Sequence, residues 1–147
     1  MGKPSALARW RACSSDERRA IVEAVATLMV ASAIVRFSPF RAVARIARRP
    51  VRARAPADAE RVVATIAWAV GAAARRARFR AVCIEQGLAA QAMLRRRGIA
   101  TTLHYGVAND DGDLAAHVWV RWGERDVVGC REAPRFRLLA SFSAEAA

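Results

Sequence analysis

The chain has 147 residues and a formal net charge of +12, and 54% of its residues are hydrophobic. That length suits one domain with a single core, and the apolar content excludes a chain that is disordered throughout. Every basic residue except Lys3 is arginine. Such an excess is typical of proteins that bind nucleic acid, anionic membranes or acidic partners, and equally of a compositional bias in which arginine stems cover apolar helix surface.

The first half of the chain is predicted to be helical. Ser14 and Glu17 are spaced as a capping box, so a helix should begin there and run to about Val35. Its most apolar run covers 16 residues and contains Glu23, which is short for a bilayer span. We therefore expect a buried or partner-facing helix and no stable membrane insertion. The first residues also lack the apolar stretch and cleavage site of a signal peptide.

Two further helices should follow, separated by a linker. Residues 41–49 form a short basic segment, and residues 50–58 are rich in arginine and bracketed by two prolines. The next helix spans about residues 57–74, where Val62, Ile66 and Val70 recur at the spacing of one helix face.

A cysteine, Cys83, begins the next predicted helix, in the sequence CIEQGLAAQAMLRRRGI. Gly98 is the expected left-handed cap after three arginines. The helix should bury one stripe of side chains, namely Ile84, Leu88, Ala89, Ala92 and Met93. A thiol at this place is explained either by packing or by catalysis, because a helix N-terminus stabilises a thiolate nucleophile.

The pattern of the three cysteines suggests no metal site. Cys13, Cys83 and Cys130 stand at unrelated spacings, no C-x-x-C pair occurs, and the chain has only two histidines. We therefore expect free thiols in a reducing cytoplasm, with no cofactor and no metal.

The last third of the chain changes to strand patterns. Residues 101–107 alternate as a strand does, and residues 108–113 are predicted to form a turn-rich loop. Residues 115–122 and 125–129 should pair as a β-hairpin around Gly123-Glu124. The tail, residues 133–142, is expected to add one short element. Helices first and an antiparallel sheet afterwards indicate the α+β class.

A histidine gives the helix-start cysteine a second interpretation. His117 opens the strand HVWVRW, 34 residues after Cys83. A Cys–His pair supplies a nucleophile and the base that activates it, and the first N–H groups of the helix would form an oxyanion hole. The alternative is that His117 is a structural residue of the strand.

The order and context of these motifs resemble the transglutaminase-like cysteine hydrolase superfamily. More closely, CIEQGLAAQAMLRRRGI, TTLHYGV, AHVWVRWGERDVVG and FRLLASF resemble the leader peptidases of lasso-peptide biosynthesis. The likeness runs from about Arg80 to the end, whereas the helical half matches only in length and character. It implies one domain over 1–147, with a helical region at 1–55 and a cysteine protease core at 56–147 whose small antiparallel sheet packs on the Cys83 helix.

The resemblance also implies an activity and partners. Members of that family remove the leader from a ribosomally made precursor peptide, and an ATP-dependent cyclase then closes the macrolactam. Cys83 would be the nucleophile and His117 the general base. Some members carry a fused leader-recognition domain, for which 147 residues leave no room, so a separate recognition protein is expected. This interpretation includes no nucleic-acid partner.

The third catalytic residue is where the sequence departs from the family. The family pattern places an Asp about a dozen residues after the His, and Gly129 stands there in this chain. Asp126 is our first choice for orienting His117, Glu132 the second, and a bare Cys–His dyad the third. A two-residue turn would instead pair Asp126 with Arg121, roughly 13 Å from His117, and a tighter loop would bring Asp126 closer.

Two alternatives to leader cleavage stay open. Another transglutaminase-like hydrolase or acyltransferase would use the same Cys83 and His117. A basic, non-enzymatic module would bind nucleic acid or membrane through its arginine-rich helices. Its binding would fall steeply with salt and would not respond to Cys83→Ala.

Overall fold

The computed structural model describes residues 5–143 as five helices followed by four strands. The helices are α1 (Ala6–Ala12), α2 (Ser15–Phe37), α3 (Phe40–Ala47), α4 (Ala59–Ala74) and α5 (Cys83–Arg96). The strands are β1 (Thr102–Asp110), β2 (Asp113–Trp122), β3 (Arg125–Val128) and β4 (Arg137–Ser143), with a 3₁₀ turn at Ala133–Arg135. The predicted α+β class is confirmed. Residues 1–4 and 144–147 of the expected domain lie outside the described residues.

Local capping fixes where the helices begin. The Ser14 hydroxyl accepts a hydrogen bond from the Glu17 N–H at 3.2 Å, and the Glu17 carboxylate accepts one from the Ser14 N–H at 2.7 Å. The predicted capping box is therefore present. Helix α1 was not predicted. It begins at Ser5, whose hydroxyl accepts from the Ala8 N–H.

The sheet has the strand order β3-β2-β1-β4, and every neighbouring pair is antiparallel. The predicted hairpin at Gly123-Glu124 is confirmed, since Trp122 pairs with Arg125. The predicted loop over 108–113 is wrong, because β1 and β2 continue through it and leave only Asp111 and Gly112 as a turn. Both turn residues have positive φ, 50° and 94°, as a tight two-residue hairpin turn requires.

Helix α5 lies directly on the sheet. Of its predicted stripe, Leu88, Ala89 and Met93 are buried. A methyl group on Gly87 would lie 2.9 Å from Cγ1 of Val118, so only glycine permits this approach. The Gln91 amide donates to the backbone carbonyls of Thr101 and Phe142, at 3.2 and 3.3 Å. It therefore links α5 to the residue before β1 and to β4.

Helix α2 packs against α5 through one face and exposes the other. By length and composition it is the one helix in residues 5–143 that is apolar enough to cross a membrane. Four of its residues lie in the core, namely Ala20, Ala24, Leu28 and Ala31. Glu23 of α2 accepts hydrogen bonds from Arg96 at 2.7 Å and from Arg97 at 2.5 Å. These bonds fix α2 to the end of α5.

The Glu23 carboxylate should stabilise the fold in a pH-dependent manner. Burial raises the pKa of Glu23, but hydrogen bonds from Arg97 and Arg96 outweigh it and hold the pKa below its ordinary value. Because the folded-state pKa is lowered, the stabilisation is present above the unfolded-state pKa, about 4.3, and is lost as pH falls through the folded-state pKa. We expect Glu23→Gln to lower the free energy of unfolding by about 1–2 kcal/mol at pH 7.

Urea titrations at neutral and strongly acidic pH measure this effect. Glu124→Gln is the matched control, because Glu124 is exposed in the β2–β3 turn and has no ion pair in residues 5–143. The difference between Glu23→Gln and the parent should vanish at acidic pH. An equal loss in both variants, or a loss that persists in acid, would contradict the role of the Glu23 ion pairs.

Candidate active site

The start of α5 is held by a buried carboxylate. The Glu85 side chain is fully buried and accepts hydrogen bonds from the Val82 N–H and from Nε of Arg80, both at 3.1 Å. The Gln86 amide donates to the carbonyl of Ala81 at 2.8 Å. Residues 80–82 are thus fastened to the first turn of α5, which fixes the position of Cys83 as the first helical residue.

Cys83 combines partial exposure with unpaired backbone donors. Its thiol is free, and its side chain is partly buried against the main core. The first N–H groups of a helix have no acceptor within the helix, and here the Glu85 carboxylate takes only that of Val82, just before the helix. The N–H groups of Cys83 and Ile84 therefore have no acceptor within residues 5–143. Such donors suit an oxyanion formed next to the sulfur.

His117 of β2 is oriented by a backbone carbonyl. Its Nε2 lies 2.7 Å from the carbonyl oxygen of Gly129, so Nε2 carries the proton and donates. In the neutral ring this leaves Nδ1 as the acceptor nitrogen. The ring also stacks on Phe136 and Trp119, with centroid distances of 4.9 and 6.1 Å. These contacts favour the Nε2-protonated tautomer of His117 and hold its ring in one plane.

Gly129 is suited to this contact by its backbone. It has a φ of 72°, in the left-handed region, and an added methyl group would lie 2.5 Å from the carbonyl oxygen of Val118. Gly129 stands twelve residues after His117, and its carbonyl contacts the His117 ring. A backbone carbonyl has no side-chain signature, which is why residue patterns alone missed it.

Cys83 and His117 are not in hydrogen-bond contact. Val118 and Val120 face α5, as their proximity to Gly87 shows. Side chains alternate along a strand, so His117 and Trp119 lie on the other face of β2. Within residues 5–143 no hydrogen bond joins the Cys83 thiol to His117. The structure thus orients each residue separately, and the dyad is not closed.

Neither acid predicted for the third role contacts His117. Asp126 pairs across the hairpin with Arg121, at 3.2 Å, and its side chain is largely exposed. Glu132 forms an ion pair with Arg135 at 3.5 Å. Strands β2 and β3 pair in the register expected for a two-residue turn, which places Asp126 opposite Arg121. The structure therefore favours the Gly129 carbonyl over both acids as the group that orients His117.

The remaining candidate residues have structural surroundings. His104 also stacks on Trp119, with ring centroids 5.4 Å apart, and its Nδ1 lies 2.8 Å from the Ser141 hydroxyl. Burial and the nearby positive charge of Arg121 lower the pKa of His104 below its ordinary value. Burial raises the pKa of the Cys130 thiol, which contacts the Val120 carbonyl at 3.1 Å. Both features oppose a nucleophilic role for Cys130.

Cys13 and Tyr105 also have structural surroundings. The Cys13 thiol lies 3.2 Å from the Arg9 carbonyl. Tyr105 packs on Phe40, with ring centroids 5.8 Å apart, and borders the main core. In residues 5–143 no group of three His, Cys, Asp or Glu side chains is arranged to hold a metal ion.

The fold and these residues define an α+β protein with a thiol at a helix start and an oriented histidine on the adjoining sheet. A model of the transglutaminase-like superfamily matches residues 8–141. The chain therefore belongs to the transglutaminase-like superfamily, whose members are often cysteine hydrolases or acyltransferases. No curated protein and no solved structure matches this chain.

The assignment of the orienting group predicts the tautomer of His117 in acid-to-alanine variants. Because Nε2 donates to the Gly129 carbonyl, His117 should keep its Nε2-protonated tautomer in both Asp126→Ala and Glu132→Ala. Long-range ¹H–¹⁵N spectra of the imidazole rings measure this at about pH 8, where an unperturbed histidine is neutral.

A His104→Ala sample identifies the two sets of ring signals. A change to the Nδ1 tautomer in Asp126→Ala, with no change in Glu132→Ala, would show that Asp126 orients the ring and that the Gly129 assignment is wrong.

Proposed function

We propose that this protein is a cysteine peptidase in which Cys83 is the nucleophile and His117 the general base. The observation that carries the proposal is the position of Cys83 at the start of α5, beside N–H groups that have no acceptor in residues 5–143. Support also comes from the superfamily match and from the His117–Gly129 hydrogen bond, which leaves Nδ1 free to accept a proton. The Gly129 carbonyl takes the orienting role that an Asp side chain has elsewhere in the family.

The proposed reaction has two steps. Nδ1 of His117 accepts the thiol proton, and the Cys83 sulfur attacks the scissile carbonyl carbon. The N–H groups at the start of α5 stabilise the oxyanion. The imidazolium returns the proton to the leaving amine, which gives a Cys83 thioester. A water molecule, deprotonated by His117, then attacks the thioester carbonyl carbon. The C–S bond breaks, the carboxylic acid leaves, and the imidazolium returns its proton to the Cys83 sulfur.

This chemistry requires Sγ of Cys83 and Nδ1 of His117 to meet. Catalytic hydrogen bonds in enzymes without substrate are often long and close only in the substrate complex. On β2, pairing with β3 covers only Val120 to Trp122, so the edge beside His117 is not occupied by a strand in residues 5–143. Because the two side chains lie on different faces of β2, we propose that a substrate bound along this edge shifts the His117 ring around the edge towards Cys83.

The substrate in this proposal is the leader-bearing precursor of a lasso peptide. The motifs around Cys83 and His117 support it through their resemblance to that leader-peptidase family. We further propose a separate leader-recognition protein and an ATP-dependent cyclase as partners, all in the cytoplasm. The net charge of +12 would favour an acidic leader or recognition protein.

The direct test is cleavage of the precursor, followed by mass spectrometry. The parent protein with the precursor and recognition protein should give the free leader acid and the core peptide. Cys83→Ala should give neither product, because the nucleophilic sulfur is gone. Ser15→Ala, which also removes one side-chain heavy atom, is the matched control and should cleave at the parental rate, since Ser15 is exposed at the start of α2, outside the proposed site.

Circular dichroism of both variants separates loss of activity from loss of fold. Normal turnover by Cys83→Ala would overturn the proposed nucleophile. Equal cleavage without the recognition protein would overturn the proposed partner. Transfer of the leader to an added amine in preference to water would indicate an acyltransferase on the same residues.

A further inference from the structure

A groove in the helical half combines exposed tryptophans with unpaired arginines. It lies between α1, α2 and α4 and has a volume of about 670 Å³. Its apolar lining includes Leu7, Trp10 and Trp68, and the two indoles are 38% and 41% exposed. Neither the proposed nucleophile nor the proposed base lines it, so the groove is separate from the candidate active site.

The charge of the groove is of one sign. Arg9, Arg75 and Arg76 line it, and no acidic residue does. None of the three guanidinium groups forms an ion pair with a carboxylate in residues 5–143. By contrast, Arg96 and Arg97 are paired with Glu23. The groove therefore carries a net positive charge.

Exposed tryptophan and arginine next to each other are the residues that interfaces use most. Trp and Arg are over-represented among the side chains that dominate binding energy, and apolar grooves rimmed by charge mark protein docking sites. A concave apolar floor suits inserted side chains, whereas a flat bilayer surface would contact only its rim.

We propose that this groove docks an acidic, amphipathic peptide segment of a partner protein. Its bulky apolar side chains would pack on Trp10 and Trp68, and its carboxylates would pair with Arg9, Arg75 and Arg76. The proposal does not depend on the activity assigned to Cys83, because it concerns a different surface and makes no use of the thiol.

Fluorescence anisotropy with labelled synthetic peptides tests the proposal on the full chain. The probe is a peptide of about 12 residues in which glutamates alternate with leucine and phenylalanine. Its control carries lysine in place of each glutamate. The acidic peptide should bind saturably below about 100 µM and lose affinity as salt rises, and the lysine peptide should not bind.

Two pairs of variants locate the binding. Arg75→Glu and Trp68→Ala should each weaken binding about tenfold, as loss of a central interface side chain does. The matched controls are Arg41→Glu, an exposed arginine of α3, and Phe37→Ala, an aromatic residue that is 78% exposed at the end of α2. Both controls should stay within about twofold of the parent.

Several results would overturn the groove as a peptide site. These are the absence of saturable binding, equal losses in the groove and control variants, and equal binding of the lysine peptide. Displacement of the peptide by a single-stranded oligothymidine at the same concentration would indicate a nucleic-acid site instead. A membrane site would be indicated if the parent does not bind the peptide and Arg75→Glu binds anionic vesicles more weakly than Arg41→Glu does.

Discussion

The close contact between α5 and β2 determines where every candidate catalytic group lies. Glycine in a helix interior costs about 1 kcal/mol relative to alanine. At position 87 the absence of a side chain lets α5 lie so close to β2 that an added methyl group would be 2.9 Å from Cγ1 of Val118. Cys83 lies one turn before Gly87 and His117 directly before Val118. One packing contact thus sets the relation between the nucleophile's helix and the base's strand.

The polar bonds around this contact keep α5 in one position along its axis. At its start, the buried Glu85 carboxylate binds Val82 and Arg80. At its middle, Gln91 bonds to the carbonyls of Thr101 and Phe142. A buried carboxylate is stable only when it is paired, so the same bonds that satisfy Glu85 also hold the chain that leads into Cys83. Stability and site geometry therefore depend on the same residues.

Much of the fold was predictable because its signals are local. The Ser14–Glu17 spacing, the Gly98 cap and the Gly123-Glu124 turn each act within a few residues, and each is present in the structure. The turn at Asp111-Gly112 was misjudged as a longer loop, because polar residues at the ends of a hairpin's strands have the composition of a loop.

The site was predictable only in part. Cys83 and His117 were selected from helix-start and strand patterns, and the structure shows how each is held. The hydrogen-bond partner of His117 was not predictable, because it is the backbone carbonyl of Gly129. The position of that carbonyl depends on the path of the chain after β3. The face of β2 on which His117 lies depends on which alternate side chains of the strand pack against α5. The residue types near His117 do not specify this.

The central claim is covalent catalysis by Cys83, and trapping the thioester tests it most directly. Precursor, recognition protein and enzyme are mixed, quenched in acid within one turnover, digested with trypsin and analysed by mass spectrometry. The leader acyl group should appear on the peptide of residues 81–95, which contains Cys83. Cleavage with no adduct on that peptide, or an adduct on Cys13 or Cys130 instead, would contradict the claim.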